Sequence, residues 1–161
     1  MNNKKIVMKT LEQNNMNINN YFTWNDSWVF TTLYYTTKNK TKIDLPNFIA
    51  TGDYLNHSIF DKDEVITGLI KLQKRGVIQI IEEKIIYTKI GNEIINNSKK
   101  TKGGLFSRVD VSLKKLNSKK IKLSIVDEIN SCDFITETIY KNSVKKYQKL
   151  ADKIISKIIK T

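Results

Sequence analysis

Residues 61–91 read DKDEVITGLIKLQKRGVIQIIEEKIIYTKIG, and a change of period inside this stretch decides the fold class. After Asp61, the residues Val65, Ile66, Leu69, Ile70 and Leu72 recur at helical spacing and supply a broad apolar face. Asp61 and Glu64 stand at capping-box spacing, and Gly76 is placed to end the helix in a left-handed conformation. Beyond Gly76 the period shortens. Val77–Ile81 and Ile85–Tyr87 are β-rich runs separated by Glu82, Glu83 and Lys84, which predicts a tight hairpin whose turn lacks the usual Asn-Gly or Asp-Gly pair. Thr88 can then cap a further helix over Lys89–Asn97.

Upstream, a first helix is expected from Asn25 or Asp26, with Val29, Phe30, Leu33 and Tyr34 on one buried face. Lys38 to Lys42 reads as a loop. Asp44 is a suitable N-cap for a second helix, and Pro46 fits its first turn, where a missing N–H costs nothing. Phe48, Ile49 and Leu55 can face inward from it, Gly52 either allows a close backbone approach or weakens the helix, and Asn56-His57-Ser58 forms the turn into the third helix. Residues 1–22 are an Asn-rich polar lead-in. Downstream, Ser98 to Gly104 reads as a linker, and Phe106, Val109, Leu113 and Leu116 define a helical face. Ile121, Leu123 and Ile125 alternate as a short strand would, and the longest helix runs from about Ile135 to Ile159. The fold class is therefore mainly α with one small β-hairpin. It divides into a lead-in (1–22), a central module (23–97) and a basic helical C-terminal extension (98–161).

The order of three helices, a hairpin and a following helix resembles a winged helix. The string Ile85-Ile86-Tyr87-Thr88-Lys89-Ile90-Gly91 is similar to the Tyr-x-Leu-Thr-x-x-Gly junction that closes the wing in bacterial regulators of the MarR and PadR kinds, here with Thr88 directly after Tyr87 and Gly91 in place. The likeness covers about 75 residues and implies, by analogy, DNA-binding control of transcription.

The net charge of +12 favours a polyanionic partner. Only Arg75 and Arg108 are arginines, however, and a chain crowded with Lys, Asn and Ile is also what an AT-rich genome produces with no functional demand. Position is more informative than total: the lead-in carries a net +2, residues 23–97 are neutral, and residues 98–161 carry +10. The chain also lacks an apolar run of the ~20 residues that span a bilayer, and Met1–Lys9 has no signal-peptide core. Its lone cysteine, Cys132, cannot form an internal disulfide. A cytoplasmic location with no membrane partner is expected.

Catalytic material is sparse. His57 and Cys132 are the only residues of their kinds, too few for a zinc site, and no nucleophile motif flanks Cys132. The acidic group Asp61, Asp63 and Glu64 sits at a helix start, where capping explains it better than metal binding. His57 is read as a turn residue. Gly103-Gly104 has no following Lys-Ser or Lys-Thr and is no phosphate loop. No enzyme, metal or cofactor is expected.

Two functional readings follow. In the first, the protein is a DNA-binding transcription regulator. Its duplex contacts would come from Lys62, Thr67, Lys71, Gln73, Lys74 and Arg75 of the third helix, Lys84 of the wing, and Lys114, Lys115, Lys119 and Lys120 of the basic segment. Against it, the part of the helix that would meet bases is acidic, and so are Glu82 and Glu83 at the wing tip. In the second, the winged helix is a protein-interaction or dimerisation module with no direct readout of DNA. The first is preferred because DNA binding is the fold's commonest use. A homodimer is expected through the last helix, where Tyr140, Val144, Tyr147, Ala151, Ile154 and Ile158 follow a four-three rhythm and Ile139, Leu150, Ile155 and Ile159 widen the stripe. The competing possibility is that this helix packs within its own chain, against Phe106, Val109, Leu113 and Leu116.

Overall fold

The computed structural model describes residues 21–118, 121, 126 and 129–159, with the side chains of 105 and 154–159 left aside. The protein is mostly helical with a small three-stranded antiparallel sheet. In chain order the elements are α1 (Trp24–Thr36), β1 (Thr41–Lys42), α2 (Leu45–Asn56), α3 (Lys62–Lys74), β2 (Ile78–Ile81), β3 (Lys84–Tyr87), α4 (Lys89–Lys99), α5 (Leu105–Leu116) and α6 (Glu137–Ile159).

Helix α1 starts one turn earlier than its sequence suggests. Thr23, not Asn25 or Asp26, is the cap: the Thr23 hydroxyl accepts from the Asp26 N–H at 3.3 Å, and the Asp26 carboxylate accepts from the Thr23 N–H at 2.7 Å. Asp26 thus closes a capping box from its third position. Every residue from Asp26 to Tyr34 is buried, so α1 is the central helix and not a helix with one buried face. Its neighbours are α2, α3 and α5.

Helix α2 begins at Asp44 and Pro46 as expected, and ends at His57 in a left-handed conformation (φ 51°). Gly52 is a point of close approach: a Cβ there would lie 2.1 Å from the Phe60 ring, and the Gly52 carbonyl accepts from the Trp28 indole N–H at 3.1 Å. The turn into α3 is held by the Glu64 carboxylate accepting from the Asp61 N–H at 2.9 Å. At the other end Gly76 (φ 63°) donates to the Gln73 carbonyl, and Val77 donates to Leu72, the paired bonds of a Schellman stop.

The hairpin forms with a two-residue turn, Glu82-Glu83, both at positive φ (50° and 63°). That is the geometry Asn-Gly normally supplies, adopted here by two glutamates. Two boundaries differ from the sequence reading. Lys84 belongs to β3, and the expected Lys38–Lys42 loop contains β1, which pairs with β3 through Thr41↔Ile85 and Lys42↔Lys84. The sheet order is β1-β3-β2, because β3 has a second free edge that the passing chain can satisfy. Thr88 closes the module. Its hydroxyl donates to the Gly76 carbonyl at 2.7 Å and accepts from the Gly91 N–H at 3.2 Å, while a Cβ on Gly91 would lie 2.3 Å from the Val77 oxygen.

The C-terminal helices pack onto this body. Val109, Leu116, Ile121, Cys132, Ile135 and Tyr140 join Phe30, Phe48 and Leu69 in one buried cluster. Helix α5 turns Val109, Ser112 and Leu116 inward, whereas Phe106, expected on that face, is 49% exposed. The polar seam explains the rotation: Ser27 donates to the Val109 carbonyl at 2.7 Å, and the Ser112 and Ser98 hydroxyls pair at 2.8 Å. Ser98, placed in a linker by sequence, is accordingly a buried helical residue at the end of α4. Helix α6 begins at Glu137, after a buried Ile135. The lead-in before Tyr21 and the alternation at Leu123 and Ile125 lie outside the described residues.

Candidate functional site

Helix α3 is the element expected to enter a DNA groove, so its exposure is decisive. From Glu64 to Gly76 every residue is buried or half-buried, and the exposed residues at its start are Asp61 and Asp63. Lys71, read as a phosphate contact, is instead ion-paired with Asp26 at 2.7 Å, the two side chains being 11% and 6% exposed. Gln73, read as a base reader, is buried. Its amide donates to the Asn130 carbonyl at 3.0 Å and accepts from the Asn130 N–H at 3.2 Å, while the Asn130 side chain reaches the Ile80 carbonyl at 2.6 Å. The Val126 N–H donates to the Lys74 carbonyl at 2.9 Å. The connection into α6 is thereby clamped across the end of α3 and the first hairpin strand. Thr67, Lys74 and Arg75 are half-buried.

Lys62 is tied down as well, bridging Glu137 at 3.0 Å. Their mutual hydrogen bond raises the Lys62 pKa and lowers that of Glu137. At the hairpin tip Lys84 faces Glu82 at 3.4 Å and Lys42 meets Glu83 at 2.5 Å, which leaves the tip without a surplus of positive charge. A polar pocket of about 280 Å³ beside the tip is lined by Glu82, Glu83 and Asp133, a surface that repels phosphate. Lys114 and Lys115 are exposed on α5; Lys119 and Lys120 lie outside the described residues.

The expected dimer seam is partly consumed within the chain. Tyr140 is buried and donates to the Phe60 carbonyl, Val144 packs against the core, and Tyr147 donates to the Asp53 carboxylate. That hydrogen bond, with burial, pushes the Tyr147 pKa up to about 12. Helix α6 lies along α2, with Tyr147 of the four-three stripe tied to Asp53 of α2. Phe106, Val109, Leu113 and Leu116, the sequence's intramolecular alternative, sit on α5, whose main neighbours are α1 and α4. Ala151 is half-buried, and the side chains of Ile154 and Ile158 lie outside the described residues.

Where α6 passes the start of α2 the two helices leave a groove of about 480 Å³, mostly apolar in lining. Pro46, Asn47 and Ala50 form one wall, Tyr147 and Leu150 the other, and Lys146, Lys149 and Lys153 border it. Sequence reading reached this surface only as a stripe wider than a two-helix seam requires, the signal being Leu150.

Cys132 is buried, and burial first, then Asp133, pushes its thiol up to about 12. It is therefore a neutral core residue near pH 7. His57 is an exposed cap at the end of α2. Among the described residues no cluster of three or more His, Cys, Asp or Glu side chains could hold a metal ion, and no helix is long and apolar enough to cross a membrane. Compared with known proteins, the chain matches no family model, no curated protein and no solved structure.

Proposed function

We propose that this chain is a winged-helix protein that acts by docking another macromolecule on its helical surface, without reading DNA bases through its third helix. The winged-helix reading rests on the order α1-β1-α2-α3-β2-β3 and on the Thr88–Gly91 junction that ties the hairpin to the end of α3. The observation that carries the functional part is the state of α3. A helix that reads base edges must offer one long polar face to the major groove. Here no residue from Glu64 to Gly76 is fully exposed, Lys71 and Gln73 are engaged by the chain's own groups, and the exposed start is acidic.

The exposed lysines favour a limited second activity. Lys145 and Lys149 stand one turn apart and exposed on α6, and with Lys114 and Lys115 they suit sequence-independent attraction to a polyanion. Selection from a random duplex pool tests both readings. The expected outcome is weak binding that falls steeply with salt and enriches no sequence. Enrichment of a motif that Thr67→Ala or Arg75→Ala abolishes would overturn the docking reading and restore the transcription regulator.

A further inference from the structure

We propose that the groove between α2 and α6 receives an acidic amphipathic helix from a partner protein. The inference rests on the docking reading above and names its site and the chemistry of its occupant. The floor and walls are apolar, from Pro46, Ala50, Tyr147 and Leu150, and the volume of about 480 Å³ accommodates a few large side chains. Leu150 is 57% exposed at the edge of this groove. One turn beyond Ala50 on the same face of α2, Tyr54 is 71% exposed and extends the apolar strip along the helix. An amphipathic helix presents its i, i+3, i+4 and i+7 residues to a groove of this kind.

Charge selects the occupant. Lys146 and Lys149 stand exposed at the border on the α6 side. On the α2 side Asp44, the N-cap of the helix, is the one acidic residue of the lining, against three lysines. A partner whose flanking residues are carboxylates would meet these lysines along the α6 side of the groove. A second copy of this chain is the poorer fit, because its own α6 would bring Lys145, Lys146 and Lys149 against the same lysines.

Fluorescence anisotropy on the full chain tests this with a labelled synthetic helix of about 18 residues, leucine at the i, i+3, i+4 and i+7 positions and glutamate on its flanks. Two control peptides replace all the glutamates by lysine or all the leucines by serine. The glutamate–leucine peptide is expected to bind, with affinity reduced about tenfold by Leu150→Ser and reduced further by salt and by Lys146→Gln with Lys149→Gln. These positions are exposed, so thermal melts of the variants should match the parent. The proposal is overturned if that peptide fails to bind, or if either control binds equally well. It is also overturned if sedimentation shows a dimer that Leu150→Ser dissociates, which would assign the groove to a second copy. Failure here with no motif enriched from the duplex pool removes only this occupant; an enriched motif removes the docking reading itself.

Discussion

Lys71 Nζ lies 2.7 Å from Asp26 Oδ2, joining the last turns of α3 to the first turn of α1 in a pair almost sealed from solvent. The same carboxylate closes the capping box on Thr23, so one acid both starts the central helix and holds the third helix against it. Removing one member of a buried pair leaves the other charge without its counter-ion. Lys71→Met is expected to lower unfolding stability by about 3 kcal/mol, read as a shift in urea midpoint. It should leave any binding to duplex DNA unchanged. Loss of DNA binding at unchanged stability would contradict the assignment of Lys71 to the core.

The Phe60 ring cannot retreat from Gly52. It is stacked on Trp28 with ring centroids 3.6 Å apart and packed against Phe48 at 5.1 Å. Gly52→Ala is therefore expected to cost about 2–3 kcal/mol through overpacking. Gly104→Ala, where an added Cβ meets nothing within 4 Å, provides the control. As the N-cap of α5 it should lose only the capping preference of Gly over Ala, under about 1 kcal/mol. Equal melting temperatures for the two variants would refute the close contact.

The Lys62–Glu137 bridge gives a pH signature. The Glu137 pKa is lowered in the fold, so its contribution is present above the ordinary carboxylate range and is lost as pH falls through the lowered value. The Lys62 pKa is raised, so its contribution is complete below the ordinary lysine value and is lost as pH rises through the raised one. The stability difference between the parent and Glu137→Gln should hold steady from roughly pH 5 to pH 10 and close on the acid side. A difference that persists at pH 2 would show that Glu137 acts by packing and not by charge.

Tyr140 separates packing within the chain from packing between chains. Its hydroxyl donates to the Phe60 carbonyl in a buried position. Tyr140→Phe leaves that carbonyl without its partner and should cost about 1–2 kcal/mol in unfolding, with no change in sedimentation coefficient at micromolar concentration. A dimer that this variant dissociates would return the residue to an intermolecular seam.

The sequence by itself determined the elements whose signals are local. Asp61 with Glu64, the Gly76 stop, Pro46 in a first turn and Thr88 before Gly91 each act through bonds that span a few residues, and each is found where the sequence puts it. The hairpin was legible from its β-rich runs, and Gly52 from its lack of a side chain, although not the ring that needs the space.

Tertiary structure alone decided which side chains remain for function. Lysine and glutamine in a helix look alike whether they face solvent or a buried partner, because that partner lies far along the chain: Asp26 for Lys71, and the Asn130 backbone for Gln73. The same holds for the stripe on α6. Its four-three rhythm specifies a helical neighbour but not whose, and the neighbour proved to be α2 of the same chain. Strand β1 was missed because two residues carry no periodicity; pairing with β3 makes them a strand. The groove beside Leu150 exists because α6 runs past the start of α2, a relation between helices that no local pattern encodes.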